Sequence, residues 1–413
     1  MIHFFHVADL HLDSPFKGLR YLPENLWKEV RNSTFDAFHQ IVSNAIIEKI
    51  DFMLLVGDIY DSEDRSIKAQ AFLKKELERL NESAIPVYIV HGNHDFISDL
   101  NLTMDMPDNV YVFGIQPETV QLVTDKNEKV NLTGFSYNSR WIEENKTDGY
   151  PTKKNEDAWQ IGLLHGYNEG NAAKHAKYAP FTIRDLKDKG YDYWALGHIH
   201  KRQQLSSHPP VYYSGNIQGR HKNEEGTKGF LSVKLADWGN EIVFQEASQI
   251  IWQTLDINCT ELNSLNTIIQ EILTQLKKMK MTEKNYFVRL KLNVKNISND
   301  LYNKLVSDDF LDILQLNKIG RNFVWVYKCN VHLTGDFKEL ALKKMFPEEW
   351  EKAIESLLSE EEFNRITNDL FKNNAEFSFL QPRDEDYRKK IVNESIEELT
   401  HLIGTKGDSE NES

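Results

Sequence analysis

Carboxylates, imidazoles and one carboxamide gather in five short groups within the first 200 residues. They are Asp9-x-His11, Gly57-Asp58-Ile59-Tyr60-Asp61, Gly92-Asn93-His94-Asp95, a lone His165, and Gly197-His198-Ile199-His200. Seven of these side chains (Asp9, His11, Asp58, Asn93, His165, His198 and His200) are oxygen or nitrogen donors for a first-row divalent ion. The mixture of carboxylate, amide and imidazole without thiolate suits Mn²⁺, Fe²⁺ or Zn²⁺ better than Ca²⁺. Seven donors exceed the needs of one ion that must also bind water or substrate. Two ions about 3.5–4 Å apart, sharing a bridging carboxylate, fit better. Any one of these residues alone would read as a turn residue or a satisfied core histidine, as His3, His6, His39 and His221 do. Five ligand-rich groups in series do not.

The elements that must position them are visible as apolar runs. Phe4 to Ala8, Phe52 to Val56, Val87 to Val90, Ile161 to Leu164 and Tyr193 to Leu196 each read as a buried strand. Each ends directly before one of the groups, so all five can meet at one edge of a sheet. In Asp9-x-His11 and His198-x-His200 the i, i+2 spacing puts both side chains on one side of an extended chain. The glycines allow sharp turns and close approach. Helical patterns lie between the strands, for instance Ile67 to Leu80 with Phe72, Leu73, Leu77 and Leu80 on one face. Strands alternating with helices predict a layered α/β core, whose ligands collect beyond the strand ends.

Four regions follow from the patterning: 1–245 as this layered domain, 246–331 as a compact β-α-β-α-β unit, 332–403 as charged amphipathic helix, and 404–413 as a disordered tail. The middle unit is built from Trp252 to Ile257, a helix around Ile268 to Met279, Tyr286 to Val294, a helix around Leu301 to Leu314, and Phe323 to Tyr327. It carries no ligand cluster.

With 413 residues, 40% of them hydrophobic and 27% charged, the chain reads as a soluble globular protein of two or three domains. No apolar run approaches the ~18 residues of a membrane span. The opening "MIHFFHVADLHL" lacks a basic start and is broken by Asp9, so it reads as a first strand rather than a signal peptide. Two cysteines, Cys259 and Cys329, are too few for a disulfide framework. These features predict a cytoplasmic protein. The net charge of −14 argues at first against a nucleic-acid partner. However, residues 331–413 hold 20 acidic and 11 basic groups, and the other 330 residues carry a net of only −5. The acidity belongs mainly to the C-terminal region.

In this order, D-x-H, G-D-x-x-D, G-N-H-D, a lone H and G-H-x-H resemble the calcineurin-like metallophosphoesterase superfamily. "YYSGNIQGRHKNEEGTKGF" (Tyr212 to Phe230) is similar to the segment after G-H-x-H in DNA-repair exonucleases of the SbcD type, and "ADLHLDSPF" resembles their bacterial YhaO-like branch. The resemblance implies a four-layer α-β-β-α sandwich with a small α/β capping domain and a helical C-terminal region. It implies one ion on Asp9, His11 and His200, another on Asn93, His165 and His198, and Asp58 between them. A water made acidic by the ions would attack phosphorus, with His94 as proton donor or phosphate orienter and Asp61 pairing with His94 to fix its tautomer. Asp95 is left with a local capping role.

The same resemblance points to a Mn²⁺-dependent 3′–5′ DNA exonuclease with single-strand endonuclease activity, acting in double-strand break repair. It implies a homodimer and an SbcC-like (YhaN-type) coiled-coil ATPase docked on the C-terminal region. The chain has no phosphate-loop motif of its own. A small-molecule phosphodiesterase or nucleotidase and a non-catalytic adaptor are the alternatives. "GDIYDSED" lacks the Arg-Gly of protein phosphatases, which speaks against that activity. Basic pairs flank the ligand groups (Lys17 and Arg20, Lys174 and Lys177, Lys201 and Arg202, Arg220 and Lys222) and could track a phosphate backbone. Phe16, Tyr137 and Tyr167 could stack on an end base or serve equally in core or rim packing.

Overall fold

Runs that are apolar throughout, rather than alternating, become strands buried on both faces. The computed structural model describes residues 1–16, 18–19, 21–62, 65–98, 104–154, 157–169, 178–282, 284–295, 297–315, 322–333, 346–372 and 384–404. Strands β1 (Ile2–Val7), β2 (Phe52–Val56), β3 (Val87–Val90) and β4 (Val110–Val112) run parallel in one sheet. A second sheet holds β5 (Glu118–Val123), β6 (Lys129–Gly134), β7 (Trp159–His165), β8 (Tyr193–Gly197), β9 (Gln203–Ser207) and β10 (Pro210–Tyr213), in the order β5-β6-β7-β8-β10-β9. The chain then returns to the first sheet with β11 (Gly229–Ala236) and β12 (Gly239–Glu246), giving β12-β11-β1-β2-β3-β4.

Period-two side-chain alternation sorts each strand between two cores. Phe4, Phe52, Leu54 and Val56 point between the sheets and meet Leu132, Ile161, Leu163 and Tyr193. Phe4 and Phe52 stack there with ring centroids 4.9 Å apart. Phe5, Val7, Met53 and Leu55 face the opposite way, onto α1 (Glu24–Glu48) and α2 (Ile67–Glu82), which bury Phe38, Ile41, Leu73 and Leu77. Ser66 starts α2 by accepting a hydrogen bond from the Ala69 amide at 3.1 Å. The outer face of the second sheet packs Leu164, Trp194 and Leu196 against Phe181 and Leu186, the latter from α3 (Ile183–Asp188). The result is the expected four-layer α-β-β-α sandwich. Each of these large side chains contributes roughly 1.5–3 kcal/mol through burial.

The chain divides into two compact units. One comprises Met1–Leu255, Ile272–Leu290 and Leu311–Lys328; the other Asp256–Glu271, Lys291–Phe310 and Cys329–Ser413. After the sandwich come β13 (Ile250–Cys259), α4 (Leu265–Lys280), β14 (Asn285–Val294), α5 (Asn299–Leu305), α6 (Asp308–Gln315) and β15 (Val324–Leu333). The strands form a sheet in the order β13-β14-β15. The one helix expected over Leu301 to Leu314 is two, because the Ser307 hydroxyl accepts the Phe310 amide and restarts the helix. Farther on, Pro347–Leu358, Glu360–Lys372 and Glu385–Gly404 are helical, with Phe363 and Val392 buried. Of the expected tail 404–413, Gly404 ends the last helix and the rest lies outside the described residues. Among the described residues no helix is long and apolar enough to cross a membrane.

Candidate metal centre

The parallel strands β1, β2 and β3 of one sheet and β7 and β8 of the other deliver all five groups to one end of the sandwich. Backbone bonds stitch the strand exits together. Asp9 N donates to Gly57 O at 3.1 Å, His11 N to Asp58 O at 2.9 Å, and Gly57 N to Val90 O at 2.9 Å. His165 is the last residue of β7, not a loop residue. Four of the expected ligands sit at positive φ: Asp9 at 52°, His11 at 44°, Asp58 at 48° and His198 at 99°. Non-glycine residues adopt this region at a cost of about 1–3 kcal/mol each and concentrate at functional sites. Here the sharp exits turn donors inward that would otherwise continue along the strand.

One acceptor–donor cluster joins Asp9, His11, Asp58 and His200, whose ligand atoms all lie within 4.8 Å of one another. A second joins Asn93, His165 and His198. Asn93 Oδ1 lies 3.1 Å from His165 Nε2 and 3.2 Å from His198 Nδ1. The Asp58 carboxylate stands between the clusters, its Oδ2 3.7 Å from His11 Nε2 and its Oδ1 3.5 Å from His165 Nε2. The structure thus brings all seven sequence-predicted donors together.

The residues fit cations. Asp9 and Asp58 are 1% exposed and adjacent. Burial, and then the Asp58 charge, push the Asp9 carboxyl well above its ordinary pKa, against the opposing pull of the His198 amide and Arg220. His11 is held neutral, chiefly by burial and then by Arg220, which leaves a lone pair for a metal. Its Nδ1 is buried without a hydrogen-bond partner. His11 Nε2 and His200 Nε2 converge to 3.1 Å. Two imidazoles and two carboxylates crowded this way are best satisfied by a divalent ion.

Two glycines make the crowding possible. At Gly57, φ is +79° and a Cβ would fall 2.0 Å from His165 Nδ1; at Gly92 it would fall 2.3 Å from Asp58 Oδ1. The room they leave is for neighbouring ligand side chains rather than for substrate.

His94 lines the mouth of a cleft of about 670 Å³ together with Asp58, Asn93, His198 and His200. Its amide donates to Asp58 Oδ1 at 2.9 Å. Its ring Nδ1 lies 2.9 Å from the backbone carbonyl of Asp61. A carbonyl only accepts, so Nδ1 carries the proton and Nε2 is the cleft-side nitrogen. This corrects the role expected of the Asp61 carboxylate, which forms an ion pair with Arg220 instead and stands 3.5 Å from His11 Nδ1. The tautomer is fixed by Asp61, but through its main chain.

Asp95 takes the capping role anticipated for it. It accepts from Gly92 N at 2.8 Å, Ile59 N at 2.9 Å and His91 Nδ1 at 2.9 Å, tying the loops after β2 and β3 together. Burial alone would raise its pKa; His91, Arg65 and the Gly92 amide outweigh that and hold it at about 2.

Glu224 is a residue the motif reading passed over. Its Oε1 accepts from His200 Nδ1 at 2.7 Å and faces His221 Nε2 at 3.3 Å. Its Oε2 accepts from Arg220 N at 2.7 Å and Asn216 Nδ2 at 2.9 Å. Such a carboxylate fixes the ligating tautomer and orientation of a metal histidine. The sequence signal lay in "GRHKNEEGTKGF", but nothing in its spacing distinguishes Glu224 from Glu225.

Lys201 lines the cleft; Arg202 stacks on Phe244 at 3.8 Å, and Arg220 is spent on Asp61. Lys17, Arg20, Lys174 and Lys177 lie outside the described residues. Phe16 and Tyr137 are buried in apolar clusters, which removes them as base-stacking platforms. His6, as expected, is a satisfied core histidine between Tyr193 OH at 3.0 Å and Leu196 O at 3.1 Å.

A fold that carries five ligand groups on the strand exits of a double sheet, around one shared carboxylate, defines a phosphoester hydrolase. The model of the calcineurin-like phosphoesterases matches residues 2–202, and the chain belongs to this metallophosphoesterase family. It is 39% identical over 327 residues to the uncharacterized metallophosphoesterase YhaO of Bacillus subtilis (strain 168), covering 78% of this chain and 79% of that protein. The DNA double-strand break repair protein Mre11 of Sulfurisphaera tokodaii is 26% identical over 238 residues, 54% of this chain and 57% of its own. The Mre11 of Methanocaldococcus jannaschii is 24% identical over 336 residues, 75% of this chain and 84% of its own.

Proposed function

We propose that this metallophosphoesterase is a DNA nuclease that hydrolyses phosphodiester bonds with two divalent ions, Mn²⁺ foremost. The observation that carries the reading is the convergence of seven donors around Asp58, in a chain related over much of its length to proteins named for double-strand break repair. Asp9, His11 and His200 would hold one ion, Asn93, His165 and His198 the other, with Asp58 shared. Ions held there supply Lewis acidity and neutralise charge on a phosphoryl group undergoing transfer to water.

The chain's own residues then have separable tasks. His94 presents Nε2 to the cleft and, as imidazolium, hands a proton to the leaving oxygen. The Asp61 carbonyl keeps the opposite nitrogen protonated throughout. Glu224 and Asp95 hold ligand groups in register. The direction of degradation is 3′–5′, with single-strand endonuclease activity, and the chain works in the cytoplasm as a homodimer. An SbcC-like ATPase docks on the helices of 332–403, whose apolar stripes offer a helix-binding face.

A substrate panel in Mn²⁺ tests this: end-labelled duplex DNA, cyclic nucleotides and a chromogenic phosphodiester, each with and without the ATPase. Degradation of the DNA is expected. Turnover of the small esters with intact DNA under every condition would overturn the nuclease reading and leave a small-molecule phosphodiesterase.

A further inference from the structure

Lys228 stands immediately before β11 and was not singled out by any motif. Its backbone is fixed on both sides. The amide donates to Ser248 Oγ at 3.1 Å, and the carbonyl accepts from Ala247 N at 2.9 Å and Ser248 N at 3.0 Å. From this anchor the side chain runs into the wall of the cleft that holds Asp58, His94 and His200. Lys228 is only 9% exposed, yet among the described residues its ammonium makes one long hydrogen bond, 3.5 Å to the His200 carbonyl. Among the described residues no carboxylate lies within 4 Å of it. A partly desolvated ammonium facing a cleft favours an anion or several acceptors, because burial without them is costly.

The cleft acid Glu224 favours this ammonium through its charge but makes no ion pair with it. Glu224 is occupied by His200, Asn216 and the Arg220 amide, and Glu225 accepts from Thr254 Oγ1 at 2.6 Å. Lys201 and His221 also line the cleft, so the wall around Lys228 offers further cationic and donor groups. Position matters as well. His200 points its Nε2 at His11, while Lys228 meets its main-chain carbonyl. The ammonium therefore meets His200 at its main chain and not at the nitrogen that faces His11.

We propose that Lys228 is a substrate-binding residue that docks a phosphate adjacent to the scissile one, so that the cleft favours polynucleotides over isolated phosphodiesters. The inference rests on the nuclease reading above. A flanking-phosphate contact is formed equally in ground and transition states, so its loss appears in KM rather than kcat.

The test compares wild type, K228M and K228R on an oligodeoxynucleotide and on bis(4-nitrophenyl) phosphate, which has no flanking phosphate. For K228M the ratio of kcat/KM on DNA to kcat/KM on the small ester should fall about tenfold or more, in KM. The log–log salt slope of DNA binding should shrink by about one. K228R should recover most of the ratio. Equal loss on both substrates, or no loss on either, would overturn the proposal and leave Lys228 as a prop for His200. Mn²⁺ titration of each variant reports whether the donor cluster is intact, and K228Q replaces K228M if the latter does not fold. A wild-type protein that turns over the small ester but not DNA would refute the nuclease reading itself, a failure visible without any variant.

Discussion

Glu224→Gln isolates how much one carboxylate outside the donor cluster controls the metal. In the native protein, Oε2 receives two hydrogen bonds, from the Arg220 amide at 2.7 Å and Asn216 Nδ2 at 2.9 Å. A glutamine must keep its carbonyl oxygen there, since an NH₂ would face two donors. Its NH₂ then occupies the Oε1 position, against His200 Nδ1 at 2.7 Å. To avoid two opposed N–H groups, His200 must move its proton from Nδ1 to Nε2, the nitrogen that faces the Asp9–His11–Asp58 cluster. A protonated Nε2 cannot ligate. Loss of such an orienting partner lowers metal affinity 10–100-fold, or about 1.4–2.8 kcal/mol. Mn²⁺ titration calorimetry should therefore show one of two sites weakened by that factor and the Asn93–His165–His198 site nearly unchanged. Glu224→Ala adds a stability loss of about 1–3 kcal/mol for each buried donor left unpaired, so the isosteric variant is the cleaner probe. Two-site binding within twofold of wild type in E224Q would refute the argument.

Three further outcomes are expected. His94→Ala should lower kcat at least 100-fold while Mn²⁺ stoichiometry stays at the wild-type value, because the amide that donates to Asp58 is retained; loss of metal would contradict the role assigned to the ring. Gly92→Ala should displace the Asp58 carboxylate, since the added Cβ would sit 2.3 Å from Oδ1, and metal analysis should show both ions weakened. The His6 imidazole is lowered to about 3, mainly by burial and against the Leu196 carbonyl's opposing pull. Because the unfolded chain binds this proton more readily, stability should be full above about pH 6.5 and fall as pH drops toward 3. Linkage gives a loss of about 2 kcal/mol between pH 7.5 and pH 5, which urea titrations should show in wild type and miss in His6→Gln.

Much of the site could be read from the chain because metal ligands are rare residue types placed at a mechanically defined point, the end of a strand. Once Phe52 to Val56 or Val87 to Val90 is seen as a buried run, Asp58 and Asn93 must emerge at the same edge. Residues that act through a partner left no such mark. Asp61 was expected to use its carboxylate on His94, yet it uses its carbonyl, a choice made by where Arg220 lies 159 positions away. For Phe16 and Tyr137 the sequence leaves base stacking and core packing equally open, and the tertiary structure gives both to the core.

The sequence by itself determined the layered fold, the seven donors and their division by strand, because periodicity and residue chemistry are local properties. Only the tertiary structure decided which donor faces which, that Asp58 stands between two clusters, and that Glu224 and Lys228 belong to the same cleft. Those are relations across the gap between sheets and loops. They are set by packing distances of a few ångströms that no spacing along the chain encodes.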